Sequence, residues 1–490
     1  MKCSLPKNVL PDREPVPPMV PPMPSTRARP RCVQAIATKA VYLVALVALY
    51  FALAKTYAEF LQPQFKYMHF KQSFVPAREV TSLIVVAVAA ALLPARFCRP
   101  SDLYVALAIV FTLVPTAMMY AYADLGAETA FVSYAGLAVI ALARLVPLEV
   151  PAWKPVSAAF LLYLLTGITL LGVGTTAYYM GLDHFSLDLV EVYGRRAIGH
   201  ALLTGLTSYI VFFALKCNLL AIIIAFVCKR WTLFVINIIA GLLFFGFLGN
   251  KGPFYGMLFF IILIYVVRSK LSIVYIISAF AAVYVLFYVF FLDTRFLTLI
   301  ALFEQRMLIL PVFLNNLYMT FFSDMKLLWA DSKLSLGILD YPLNFDPQTT
   351  VGYFWRGKTT THANTGFIGS GYMHAGWIGI LAYAIVIGLC CRVIDELARL
   401  RDTRSFAAII CLPGFLTAVT TSDLPTVLLS GGWVFAILLV AVFDPRVGTP
   451  GRKRLTSARM QAARRASTPR WASRAMGRSA GAWERQLGKS

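Results

Sequence analysis

The chain has 490 residues, 59% of them hydrophobic and 14% charged, and a mean hydropathy of +0.72. Water-soluble domains carry about 45–50% apolar and about 25% charged residues, so this composition excludes an ordinary soluble enzyme and a disordered chain and points to an integral membrane protein. The net charge of +22 is concentrated in the tails: residues 446–490 hold 12 Lys/Arg against Glu484 alone, and residues 1–39 hold 7 basic and 2 acidic residues. Basic ends around an apolar middle read as segments held on the cytoplasmic side of a membrane, not as a nucleic-acid surface.

In chain order, residues 1–32 contain nine prolines and almost no apolar periodicity, which predicts a flexible cytoplasmic tail. No short apolar run follows Met1, so a signal peptide is not expected. Residues 33–445 form the expected transmembrane domain, an all-α polytopic bundle. Twelve apolar segments stand out, near 35–54, 80–95, 102–122, 129–147, 156–180, 204–227, 232–249, 253–267, 271–292, 374–394, 405–421 and 427–443. With the N-terminus inside, the connections at 96–101, 148–155, 228–231, 268–270 and 395–404 are cytoplasmic and carry Arg96, Arg99, Lys154, Lys229, Arg230, Arg268, Lys270, Arg399, Arg401 and Arg404, as short-loop charge requires. The main exception is the expected outer loop 55–79, with three lysines and Arg78. Residues 307–322, with Pro311 and Asn315-Asn316, read as an interfacial or re-entrant helix. The segment 293–373, with six acids and six bases, becomes one large periplasmic loop. The basic tail 446–490 is expected to be solvated and cytoplasmic. The eight cysteines show no disulfide framework and no metal-type spacing.

Candidate chemistry gathers on the expected outer side. His69, His184, His200, His362 and His374 all map there, and unpaired titratable groups on one face are where acid–base work would sit. Gly249-Asn250-Lys251-Gly252-Pro253 joins two helices on that face. Pro253 suits a helix start, and a helix N-terminus beside Lys251 suits an anion, although a tight turn with a snorkelling lysine fits the same residues. Asp183, His184, Asp188, Glu191, Arg195 and Arg196 crowd another outer loop. The two arginines could grip a phosphate or serve only in solvated ion pairs. Lys216 lies inside an apolar segment, where an ionisable residue is either functional or snorkels to the interface. In the run 362–383, HANTGFIGSGYMHAGWIGILAY, residues Gly371, Ala375 and Gly379 make a small-residue stripe for close helix packing, and Asn364 suits a helix N-cap.

The run HANTGFIGSGYMHAGWIGILAYAIVIGLCCRVIDEL resembles the C-terminal signature of Wzy-type oligosaccharide repeat-unit polymerases, the O-antigen polymerase-like membrane proteins. Arg306, Pro311 and Tyr318-Met-Thr-Phe-Phe-Ser323 resemble the R…P…YxxFFS segment of one branch, Gly249-Asn-Lys251-Gly its G-x-K-S element with glycine in place of serine, and VYGRRAIG at 192–199 its Y-x-R loop. The resemblance covers roughly 190–440. The R-x₁₅-G pattern of some members is missing, because the positions sixteen beyond Arg295, Arg306 and Arg356 are Pro311, Phe322 and Tyr372.

The resemblance implies transfer of a growing glycan from one polyprenyl pyrophosphate to the sugar of another, at the periplasmic face of a bacterial inner membrane. The substrate would be an undecaprenyl-pyrophosphate-linked oligosaccharide, with membrane lipid, a chain-length regulator and a flippase as partners. The leaving diphosphate needs cations, for which Lys251, Arg195, Arg196, Arg306 and Arg356 are candidates. The acceptor hydroxyl needs a base, for which His362 and Asp324 are candidates, with Asn364 and Tyr318 expected to touch substrate. No cofactor and no metal are expected. The competing readings are a glycan ligase and a twelve-helix polysaccharide or lipid transporter.

Overall fold

The computed structural model describes residues 28–94, 96–151, 153–188, 192–249, 263, 273–290, 303–331, 335 and 338–444. The tails at 1–27 and 445–490, the turn carrying Lys251, and the segment expected at 253–267 (Leu263 apart) lie outside them.

The described chain is helical: α1 Ala28–Thr56, α2 Pro76–Leu92, α3 Pro100–Tyr122, α4 Ala127–Ala143, α5 Ala158–Met180, α6 Val192–Leu202, α7 Gly205–Val227, α8 Trp231–Leu248, α9 Ile273–Phe290, α10 Leu310–Phe321, α11 Pro347–Arg356, α12 Phe367–Arg401, α13 Arg404–Ile410, α14 Leu412–Thr420, α15 Leu424–Leu428 and α16 Trp433–Val442. Two short strands, β1 Val156–Ser157 and β2 Phe443–Asp444, pair in parallel. The helix starts follow local chemistry. Pro100 sits in the first turn of α3, where its missing N–H costs nothing, and Asp102 accepts the Cys98 and Arg99 amides at 3.0 and 2.8 Å. Asp346 caps α11 by accepting the Thr349 amide at 3.0 Å.

Among the described residues, seven helices are long and apolar enough to cross a bilayer: Ala35–Gln64, Pro100–Tyr122, Ala158–Met180, Gly205–Val227, Trp231–Leu248, Phe367–Arg401 and Leu424–Val442. The bundle is therefore an all-α, multi-pass membrane architecture. Among the described residues, twelve uninterrupted spans do not emerge. The segment expected at 405–421 breaks at Cys411 into α13 and α14, with Pro413 in the first turn of the second piece. α2 and α4 have 17 residues each, or about 26 Å of helix.

Close helix contacts run through small residues, as lipid-embedded packing favours. A Cβ on Gly388 of α12 would lie 2.5 Å from the Ala143 Cβ of α4, and one on Gly172 of α5 would lie 2.2 Å from the Ala214 Cβ of α7. Chain order then sorts the loops to two ends. At one end Lys39 donates to Ala91 O (2.6 Å), Asp395 accepts from the Ser101 amide and hydroxyl (2.9 and 2.6 Å), Arg144 pairs with Asp102 (2.8 Å), and Arg401 bonds to Ala441 O (3.1 Å) and Trp153 O. These contacts join the connections around 96–101, 148–155 and 395–404, which were expected to share a side.

At the other end the Ser73 amide meets Tyr122 O (2.9 Å), Asn316 Oδ1 accepts from Thr129 (2.8 Å), and the Trp355 indole donates to Met68 O (3.0 Å). Helix α10 lies in this layer. Gln305, one turn before it, reaches the Met68 sulfur at 3.7 Å, and Tyr318, thirteen residues later, reaches Ala363 O at 2.8 Å. Thirteen residues of helix extend about 20 Å, so a segment touching this layer at both ends lies across it.

Candidate functional site

The layer that closes this end is built on α10 and α11. Tyr318 is buried, with 1% of its surface exposed, and its hydroxyl donates to Ala363 O. The Ala363 amide donates to Gln348 O of α11 at 3.0 Å. Asn315 Oδ1 accepts from the Thr365 hydroxyl (2.8 Å) and the Gly369 amide (3.2 Å). The segment 362–366 is thereby fixed between α10, α11 and α12. His362 is exposed, and its Nδ1 lies 3.0 Å from the Thr349 hydroxyl of α11. Asn364 is also exposed and does not cap the next helix. The N-cap is Gly366, with no side-chain cap bond, because it packs on the end of α14, where a Cβ would sit 2.3 Å from Val419 O.

The other sequence-selected residues divide. Arg356, on α11, lies over the Tyr67 ring at 4.9 Å and the Trp355 ring at 5.7 Å, in the same layer as His362. Arg306, in the π-helical turn Gln305–Ile309, and Asp324, after α10, are both exposed. Arg195 and Arg196 belong to a separate group formed by α5, α6 and α8. Arg195 is 4% exposed, bonds to Gly246 O (3.2 Å) and Asp188 O, and lies over the Phe245 ring. Arg196 bonds to Gly249 O at 3.4 Å. Both arginines thus serve the C-terminal carbonyls of α8, where cations are favoured. Lys251 lies outside the described residues. Lys216, on α7, has its stem beside Gly432, 3.8 Å from where that glycine's Cβ would be, at the gap between α15 and α16.

Beneath the surface layer is a cluster that sequence reasoning did not assemble. Helix α12 is broken: Ala375 (φ −146°, ψ 28°) and Gly376 (φ 62°, ψ −141°) leave helical geometry, a conformation glycine adopts without a Cβ penalty. His374 ends the first arm and is fully buried. The loop after α10 satisfies this arm's last carbonyls, with the Leu327 amide on Met373 O (3.0 Å) and the Leu328 amide on His374 O (3.1 Å). The Trp329 amide donates to His374 Nδ1 at 3.2 Å, and its ring stacks on the imidazole, 5.1 Å between centroids at 17°.

Because Nδ1 accepts a bond, the neutral ring carries its proton on Nε2. Nε2 faces Asp423 Oδ1 at 3.6 Å and has no hydrogen-bond partner among the described residues. Asp331 Oδ1 lies 3.8 Å from Nδ1. The Tyr383 hydroxyl donates to Asp423 at 2.9 Å and accepts the Trp329 indole N–H at 2.7 Å. Burial pushes the Asp331 carboxyl above its ordinary value, opposed by His374 and reinforced by Asp423. Asp423 stands at the N-cap of α15 yet makes no cap bond there. Its side chain turns to the cluster.

One signal in the sequence did mark this place. His374 follows the Gly-rich start of the 362–383 run, and Asp423 is an acid between two apolar stretches. Their proximity depends on the break in α12 and the turn between α14 and α15, which spacing does not reveal. Among the described residues no group of three or more His, Cys, Asp or Glu is arranged to hold a metal ion. Compared with protein-family models, curated proteins and solved structures, the chain matches none.

Proposed function

We propose that this chain is a membrane-embedded glycosyltransferase that polymerises oligosaccharide repeat units carried on a lipid diphosphate, working at the outer face of a bacterial inner membrane. The observation that carries the reading is His362, exposed on a segment braced by Tyr318, Gln348 and Asn315 and held at Nδ1 by Thr349. In the tautomer whose Nδ1–H donates to the Thr349 hydroxyl, the unprotonated Nε2 takes the proton of an acceptor sugar hydroxyl as it attacks the anomeric carbon. The departing diphosphate requires cations. Arg356 and Arg306 lie on the two helical segments of the layer that holds His362, and Lys251 belongs to the same proposal. Asn364, exposed two residues from His362, is placed to meet the glycan.

Deletion of the chromosomal gene with complementation by His362→Ala tests this reading. The expected result is accumulation of single repeat units on carrier lipid, loss of long glycan, and protein amounts near wild type. Long glycan at the wild-type level per molecule of protein overturns it. A product lacking polymer only on its final lipid acceptor identifies a ligase instead. The broken helix and the buried His374 between two carboxylates favour a second reading, proton-coupled transport. Lipid-linked intermediates trapped on the cytoplasmic leaflet would select it.

A further inference from the structure

We propose that His374, Asp331 and Asp423 form a proton-binding site that holds the Leu328–Trp329 turn of the 322–331 loop over the break in α12 while the imidazole is neutral and releases that turn when it takes a second proton. The site has the properties a proton requires and a larger ligand does not. His374 is fully buried, and its Nε2 lies 3.6 Å from Asp423 Oδ1, too far for a hydrogen bond and too close for a further heavy atom to sit between them.

In the neutral state Nδ1 accepts the Trp329 amide, and that bond holds a strained loop. Leu328 and Trp329 both have positive φ, 46° and 63°, a region that side chains other than Gly, Asn and Asp rarely occupy. Two such residues in succession persist only while surrounding contacts impose them. Here those contacts are the three amide bonds from Leu327, Leu328 and Trp329 to Met373 O, His374 O and His374 Nδ1.

A proton on Nδ1 turns the acceptor into a donor facing another donor, the Trp329 N–H. The bond is lost, and a full positive charge appears between the carboxylates of Asp331 and Asp423, 3.8 and 3.6 Å away. The attraction draws both carboxylates in, so Asp331 keeps the end of the loop at the site while the turn at Leu328 and Trp329, no longer held at Nδ1, leaves its left-handed conformation.

The surrounding charges support this direction. From the second arm of α12 comes Tyr383, bonded to Asp423. Tyr341 and Tyr318 lie near the carboxylates without neutralising them. Lys326 is turned away, with its ammonium 4.0 Å from the Tyr372 ring centroid and bonded to Ser323 O at 3.3 Å. Glu128 of α4 is engaged by the Trp377 indole at 2.6 Å. α14 and α16, which also pack on α12, bring no titratable side chain. The loop that moves carries Asp324 and Lys326, so release changes the charge exposed beside the His362 layer.

The test is hydrogen–deuterium exchange of the full chain in lipid nanodiscs, following peptides that cover 324–331 at about pH 8 and about pH 5, corrected for intrinsic exchange. The wild type should exchange about tenfold faster or more at the lower pH. His374→Asn keeps an acceptor oxygen near the Nδ1 position but takes no proton, so its loop should stay protected at both pH values. Asp423→Asn and Asp331→Asn each remove an anion that stabilises the imidazolium, so the release midpoint should move to lower pH. They serve equally if the His374 variant fails to fold. Equal wild-type protection at both pH values, an unchanged pH response in His374→Asn, or a midpoint unmoved in both aspartate variants overturns the proposal. No glycan is measured, so the outcome is separate from that of the polymerase reading.

Discussion

Gly371 and Gly379 touch: a Cβ built on Gly379 would lie 2.0 Å from the Gly371 carbonyl oxygen. Eight residues of straight helix would separate them by about 12 Å. The contact exists because the chain turns back at Ala375 and Gly376. A stripe that reads in sequence as one face for a neighbouring helix instead joins the two arms of a single broken helix.

That contact predicts an asymmetry between glycines. Gly379→Ala should cost about 1–3 kcal/mol through overpacking, visible as a reduced monodisperse fraction in detergent and a lower unfolding temperature. Gly174→Ala, where nothing lies within 4 Å of the added Cβ, should be neutral or stabilise by about 0.5–1 kcal/mol. Equal effects of the two substitutions would refute the reversal at Gly376.

The opposite end of the bundle depends on a buried ion pair. Arg144 and Asp102 lie 2.8 Å apart with side chains 11% and 6% exposed, and Arg144 also donates to Ser101, which bonds to Asp395 of α12. Arg144→Met strands buried carboxylates and should cost about 3–5 kcal/mol. Lys55→Met, in the exposed Lys55–Glu59 pair, should change stability by less than about 1 kcal/mol. Denaturant titration of the two variants in the same detergent measures the difference.

Asp331 gives a pH dependence of definite sign. Burial raises its carboxyl above the ordinary 3.8, so between 3.8 and the raised folded value the folded loop binds more protons than the unfolded chain. Stability therefore falls as pH rises through that window. Asp331→Asn should remove this slope, read as the denaturant midpoint of the full chain against pH and not as exchange of the 324–331 amides, which follows His374. A midpoint that falls more steeply with rising pH in the variant would show that the Asp331 charge stabilises the fold.

Sequence alone determined the class of the molecule and much of its wiring. Composition required a membrane bundle, because 59% apolar residues cannot be covered by the polar surface of a soluble domain. Hydropathy located α3, α5, α7 and α8 to within two residues at each end, since continuous apolar runs are what a bilayer demands, while α1 and α12 both begin seven residues before their expected segments. The pairing of loops into two ends followed from chain order. Where segments stop and turn was decided by tertiary contacts. Cys411–Pro413, Ala375–Gly376 and Leu429–Gly432 interrupt runs whose hydropathy is unbroken, and the freed backbone groups are satisfied by distant amides such as those of Leu327 and Leu328. The His374 cluster exists only because the break at Ala375–Gly376 meets the loop after α10 and the turn between α14 and α15, where Asp423 stands. Its titratable members are far apart in sequence: Asp331 is 43 residues before His374 and Asp423 is 49 residues after it. Local spacing carries information about one helix face, and nothing about which loop and which turn will meet the break in a distant helix.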